Sequence, residues 1–207
     1  MEEAFEGHLD FVVVAHGIQH EFQNITESNP ESWGRTWEVN VKGPYLLARA
    51  FVRILQRPSA VAEGDYGAFV MLRTVGQNLS TPGASAYNAG KLAVHRCIET
   101  LSMEMTAEER ECKEPVRSVG SFIIHPGGIK TELSLKMPER MHELLVDSAQ
   151  LTGDTLVWLI SERRPWLDGR YISCNWNIFE LLEREREIEA GDLLKMRMAV
   201  GSHQQTQ

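Results

Sequence analysis

Cysteine is scarce in this chain: Cys97, Cys112 and Cys174 are the only three in 207 residues. An odd, scattered set builds no disulfide framework and has no metal-ligand spacing, so the expectation is a reduced, cytoplasmic setting. Long apolar runs are missing too. None reaches the ~18 residues of a membrane-spanning helix, and Met1-Glu2-Glu3 is acidic where a secretory leader would be basic and then apolar. Positive charge is in short supply, with 21 Lys and Arg against 29 Asp and Glu. The resulting net charge of −8 and pI near 5.4 exclude nucleic acid and an anionic membrane surface as expected partners. No internal repeat or low-complexity block interrupts the chain. His16 and His125 stand at strand ends, but no third ligand has suitable spacing, so no metal site is expected.

What is present is the composition of a globular protein, 43% hydrophobic and 24% charged. The length suits one domain over residues 1–200, with the polar ending 201–207 frayed. Leu9 to Ala15 is a short β-branched run of the kind buried on both faces of a parallel sheet. Asn29-Pro30 marks a helix start, and apolar residues then recur at helical spacing from Trp33 to Leu55, interrupted at Gly43-Pro44. A bent helix, or two abutting ones, is expected there. Ala68 to Leu72 reads as a second buried strand, and the next helix runs from the Tyr87 region to about Thr106. Val116 to Ile124 makes a third strand, Thr152 to Ser161 a helix, Arg170 to Cys174 a fourth strand, and Asn177 to Arg197 an amphipathic tail. The five tryptophans are expected in the core. Strands alternating with helices predict a parallel sheet covered on both faces, an α/β, Rossmann-like doubly wound fold.

In such sheets the ligand lies outside the carboxyl ends of the strands. Each loop with chemistry here follows a strand: Ala15-His16-Gly17, Arg73-Thr74 and Pro126-Gly127. The fourth element of that edge is Ser85-Ala86-Tyr87-Asn88-Ala89-Gly90-Lys91, at the start of a helix. Tyr87 and Lys91, four residues apart, share one helix face. A phenol beside an ammonium is a proton-transfer pair, because the cation favours the phenolate.

These segments together resemble a short-chain dehydrogenase/reductase. Ala15-His16-Gly17-Ile18 stands at the family's Asn-Ala-Gly, and Glu38-Val39-Asn40-Val41-Lys42-Gly43 at its structural asparagine. Thr74, thirteen residues before Tyr87, occupies the serine position, Tyr87 to Lys91 is the Tyr-x-x-x-Lys signature, and Pro126 to Thr131 matches Pro-Gly-x-x-x-Thr. The text from Trp166 to Asn177 is similar to a subgroup common in filamentous fungi. The resemblance implies Asn40, Thr74, Tyr87 and Lys91 as catalytic residues. It implies Ala15, Gly17, Tyr87, Lys91, Pro126, Gly127, Ile129 and Thr131 as NAD(P)-binding residues. Tyr87 would exchange a proton with the substrate oxygen, and Lys91 would hold the phenol's pKa down and contact the nicotinamide ribose. The Thr74 hydroxyl would orient that oxygen, Asn40 would fix a water leading to Lys91, and Thr131 would bond the nicotinamide carboxamide, unless it only caps the following turn. Residues 133–146 stand at the family's mobile substrate lid. The helices over 37–56 and 87–106 would pair across a two-fold axis, in a homodimer or a hetero-oligomer.

One departure is large. The family's Gly-x-x-x-Gly-x-Gly phosphate loop occurs nowhere in the chain. The first strand here corresponds to the family's fourth, which leaves three βα units, roughly 90 residues at ~30 each, without a counterpart. The expectation is an N-terminally truncated Rossmann-type domain that binds dinucleotide weakly, with Leu9–Val14 as a hydrophobic sheet edge open to aggregation or to another chain. Three functions fit: an NAD(P)-dependent oxidoreductase on a small molecule such as a secondary metabolite; a cofactor-independent acid–base catalyst using Tyr87 and Lys91; or a non-catalytic partner of a related protein.

Overall fold

A computed structural model describes residues 9–55, 66–74, 80–111 and 117–198. The ending 201–207 expected to fray, Cys112 and parts of three expected loops lie outside these residues. Four strands form one wholly parallel sheet in the order β1 (Phe11–Val14), β2 (Tyr66–Leu72), β3 (Ser118–His125), β4 (Tyr171–Ser173). Six α-helices accompany it: α1 (Pro30–Trp37), α2 (Gly43–Leu55), α3 (Ser85–Glu111), α4 (Ala149–Ile160), α5 (Ile178–Glu183) and α6 (Glu185–Ala190). The chain is thus a Rossmann-like α/β protein, as its strand–helix alternation predicts.

Alternation along each strand divides the core in two. From β2, Ala68 and Val70 face a cluster with Phe122, Ile124, Leu159, Leu167 and Ile172, under α4 to α6. Phe69 and Met71 face the opposite cluster with Ile123, Val94 and Ile98, under α2 and α3. Each fully buried side chain of this size stabilises by roughly 1.5–3 kcal/mol, so β2 and β3, apolar on both faces, anchor the sheet.

Helix starts follow their sequence signals. Asn29 caps α1 by accepting from Ser32 N at 3.0 Å, with Pro30 at the first helical position. Ser148 caps α4 and Asn177 caps α5 in the same manner.

Four expectations need correction. β1 is not buried on both faces: Phe11 and Val13 are 37% and 42% exposed and only Val14 is buried, because β1 is the sheet's outer strand. A β-branched run alone does not distinguish an edge from a centre. The irregularity between α1 and α2 precedes Gly43-Pro44 and is a π turn over Glu38–Lys42. The Tyr87 helix continues past Thr106 to Glu111, a length of 27 residues. Of the tryptophans, Trp166 is buried, whereas Trp33 and Trp176 are more than a third exposed, and Trp33 stacks on Trp37 at 5.2 Å.

Candidate active site

The site is assembled on the α3 side of the sheet, at the strands' carboxyl ends. After β1 the chain turns at Gly17, and Ile18 is gripped by Asn40 from the π turn. Asn40 Oδ1 accepts from Ile18 N and Asn40 Nδ2 donates to Ile18 O, both at 2.8 Å. Asn40 is fully buried, and these two bonds satisfy an amide that would otherwise be costly there. A side chain at position 17 would be crowded: a Cβ would lie 3.3 Å from Lys91 Nζ and 3.4 Å from Asn40 Oδ1. The structure thereby brings Gly17, Asn40 and Lys91 together. π turns recur at functional sites.

Lys91 Nζ sits over the Tyr87 ring at 5.6 Å from its centroid. On the sheet side, Arg73 N donates to Ile124 O at 2.6 Å, which extends the β2–β3 ladder beyond Leu72↔Ile124. Arg73 also meets His125 through its backbone. Thr74 and Pro126 each follow directly on these contacts, so the loops after β2 and β3 leave the sheet at the same edge.

The electrostatics differ from the expectation that Lys91 depresses the phenol. Burial pushes Tyr87 up to about 12, and the cation opposing this is Arg73. Burial, with Arg73 second, pushes Lys91 down to about 8. Arg73 itself, 2% exposed, is lowered to about 9 by burial, with Tyr87 the leading group that holds it up; it remains a cation at neutral pH. At neutral pH the phenol is protonated, and the two cations that act around it, Lys91 and Arg73, are both buried.

The sequence pattern places Arg73 only in the loop after the second strand and assigns it no role, and the rest of the polar stripe is also missing from it. Tyr87, Lys91, His95 and Glu99 recur every four residues on α3. His95 Nε2 lies 3.2 Å from Glu99 Oε1. Glu99 also accepts from Met196 N at 2.6 Å and pairs with Arg96 at 2.5 Å, which ties the C-terminal strap to α3. The i, i+4 spacing was the available signal.

Residues 126–131 follow β3. Gly127 has φ 91, and a Cβ there would stand 2.5 Å from Asp147 Oδ2. Thr131 hydrogen-bonds locally: its hydroxyl accepts from Ser134 N at 3.1 Å, beside the short turn Ser134–Lys136. Ala15 lies just beyond β1, and Ile129 forms a parallel bridge with Asp147. The stretch compared with a lid, 133–146, holds two 3-10 turns, Ser134–Lys136 and Glu139–Leu144. His16 Nε2 reaches Val39 O at 3.1 Å, and His125 stacks on Tyr171. Among the described residues no group of His, Cys, Asp and Glu could hold a metal ion, and no helix is long and apolar enough to cross a membrane.

A parallel Rossmann-like sheet with a tyrosine–lysine pair at its carboxyl edge defines a class of α/β proteins, and comparison makes the class specific. A family model described as Enoyl-(Acyl carrier protein) reductase matches residues 1–172. The short chain dehydrogenase citE of Monascus ruber is 40% identical over 200 residues, covering 97% of this chain and 63% of that protein. The short chain dehydrogenase andI of Emericella variicolor is 32% identical, covering 94% and 62%. This chain belongs to the short-chain dehydrogenase/reductase family, in its fungal branch. It spans 63% of the length of the Monascus relative. Among solved structures it resembles a 3-ketoacyl-(acyl-carrier-protein) reductase from Brucella melitensis complexed with NADH, with TM-score 0.70, 21% identity, and 83% and 69% of the two chains covered. A short chain dehydrogenase from Shigella flexneri complexed with NADP gives TM-score 0.68 at 20% identity, covering 84% and 66%. At these identities the likeness speaks to the fold.

Proposed function

We propose that this site takes part in NAD(P)-dependent reduction of a carbonyl, or oxidation of a secondary alcohol, on a small molecule of fungal secondary metabolism in the cytoplasm. The observation that carries the reading is the Tyr87–Lys91 pair, held against Gly17 and Asn40 at the sheet's carboxyl edge. The residues present suit the nicotinamide end of such a cofactor. Gly17 lets the chain after β1 pass close to Lys91 and Asn40, and Ala15 with Pro126, Gly127, Ile129 and Thr131 would border the ring. When bound, the dinucleotide supplies or accepts the hydride.

The chain's own task is the proton. Tyr87, protonated throughout the neutral range, donates its hydroxyl proton to the substrate oxygen as charge develops there. The Thr74 hydroxyl donates a hydrogen bond to the same oxygen. Lys91 and Arg73 stabilise the phenolate left behind, and Lys91, brought to about 8, is suited to returning the proton. Raised to about 12, the phenol is in its acid form at neutral pH, and its proton transfer depends on the two cations that stabilise the phenolate.

The test is a titration of the purified chain with NADP and NAD, followed by tryptophan fluorescence or calorimetry, with turnover compared in Tyr87→Phe. Saturable binding and a loss of at least a hundredfold in turnover are expected. No response to either nucleotide, with turnover unaffected by Tyr87→Phe, would sink the reading. A second reading rests on Lys91 titrating near neutral pH: acid–base catalysis without nucleotide, as in a dehydration or isomerisation. Turnover in nucleotide-free buffer that is lost in Tyr87→Phe would assign it. For self-association, the groove of about 490 Å³ between α2 and α3, lined by Val41, Tyr45, Ala48, Val52, Ile98 and Leu101, is the proposed dimer surface.

A further inference from the structure

We propose that Asp147 is a positioning residue that latches the 3-10 segment before α4 onto the Pro126–Ile129 loop, and so sets the shape of the proposed nicotinamide-facing edge. The loop's role rests on the reading above; the latch itself rests on contacts within this chain.

Asp147 grips Gly128 at both of its polar backbone atoms. Its Oδ2 accepts from Gly128 N at 2.6 Å, and its own N donates to Gly128 O at 2.9 Å. The pairing continues as the parallel bridge Ile129↔Asp147. Its other oxygen, Oδ1, accepts from Asn175 Nδ2 at 2.8 Å. Asn175 is fixed in turn at the end of β4, where its N donates to Ser173 Oγ at 3.3 Å. From α4, Thr152 Oγ1 donates to Pro126 O at 2.9 Å. One carboxylate therefore joins the loop after β3, the segment entering α4 and the turn after β4.

Two glycines are shaped by this arrangement. Gly127 adopts φ 91 with its Cα against the carboxylate, and a Cβ on Gly128 would collide with the Leu144 carbonyl. A side chain at either position would push the segment off the loop. The bonds to the carboxylate come from a backbone amide and a side-chain amide, with no ion pair. The titratable groups facing it are His125 from β3 and Cys174 from β4. The Gly128 amide, then Asn175, holds the Asp147 carboxyl below the usual carboxylate range. A carboxylate held in this way by neutral donors serves to order those donors. The two hydrogen bonds keep Gly128 N and the Asn175 amide turned toward Asp147, away from any ligand at the edge.

The experiment is an amide-resolved NMR titration of the chain from neutral to acid pH. The Gly128 amide proton is expected to move in one step, with its midpoint below the ordinary aspartate value. In Asp147→Asn, close to isosteric, that step should vanish, and in Asn175→Ala it should persist with its midpoint raised. Asp147→Ala should speed amide exchange at Gly128 and Asp147 roughly ten- to a hundredfold, the range for a hydrogen bond to a charged group, while the titration of Lys91 stays in place. A Gly128 resonance with no acid step, a step that survives Asp147→Asn, or exchange unchanged in Asp147→Ala each overturns the latch. Adding NADP separates the two ideas. If the acid step behaves as expected while NADP leaves residues 126–131 unmoved, the latch stands and the nicotinamide reading falls.

Discussion

Lys91 is the residue at which stability and chemistry pull apart. A buried ammonium near a buried guanidinium is costly, and its fall from 10.5 to about 8 corresponds to about 3 kcal/mol against the charged form. The folded state binds this proton less tightly than the unfolded chain does. The penalty is therefore full below pH 8 and fades as pH rises toward 10.5. Lys91→Met should raise the melting temperature by several degrees at pH 7, with the gap over the parent protein closing by pH 10, as read by calorimetry across that range. The same variant should lose turnover. Equal melting temperatures at pH 7 would mean that Lys91 is solvated or paired in solution. Asn40 has the opposite profile. Asn40→Leu leaves both polar backbone atoms of Ile18 buried without their partners and should cost about 2–4 kcal/mol in urea unfolding. If unfolding is unchanged, the grip on Ile18 is not formed.

Among the elements, α3 joins the site to the far end of the chain. Its stripe begins at Tyr87 and ends at Glu99, which holds Met196 N, while Arg96 donates to Met196 O at 2.8 Å. The strap in between turns through Asp192 and Leu194 at φ 45 and 62, a strained region for residues with side chains, and Asp192 is held by Arg170, Lys195 and Arg197. Glu99→Ala should speed amide exchange over residues 192–197 about tenfold or more and leave the core of α3 protected. Unchanged exchange there would show that the Asp192 pairs alone hold the strap. Which features were legible in the sequence follows from the same geometry. Tyr87 and Lys91 could be paired because four residues on a helix bring them together whatever else the chain does. The β2–β3 core showed itself in the apolar run Ala68–Leu72 and in the apolar end of β3, Phe122–Ile124. Asp147 and Asn175 could not be paired, since they lie 28 residues apart and meet only through the path of β3, α4 and β4. The edge position expected for Leu9–Val14 is where β1 stands, and the exposure of Phe11 and Val13 follows from it.

At the scale of the whole molecule, the two sheet edges differ. The β4 edge is closed by the strap, where Tyr171 N donates to Leu194 O at 2.8 Å. At β1, Phe11 and Val13 are exposed, and among the described residues no strand pairs outside it. An open apolar edge invites non-specific pairing, whereas a groove between two helices favours a defined partner. The α2–α3 groove also carries a charge pattern. Arg49 and Arg53 line it from α2, and Glu104 and Glu108 from α3. A second copy related by a two-fold axis running along the groove would lay the Arg49–Arg53 side of one copy on the Glu104–Glu108 side of the other. The two surfaces predict different behaviour in sedimentation experiments. If the groove is the dimer surface as proposed, Tyr45→Glu, at an exposed position in it, should give monomer where the parent protein gives dimer, and added salt should weaken the parent's association, since ~0.15 M salt already screens charges beyond about 8 Å. Val13→Lys should reduce only large, concentration-dependent aggregates and leave the dimer intact. A dimer that survives Tyr45→Glu and dissociates in Val13→Lys would move the partner surface from the groove to the open edge.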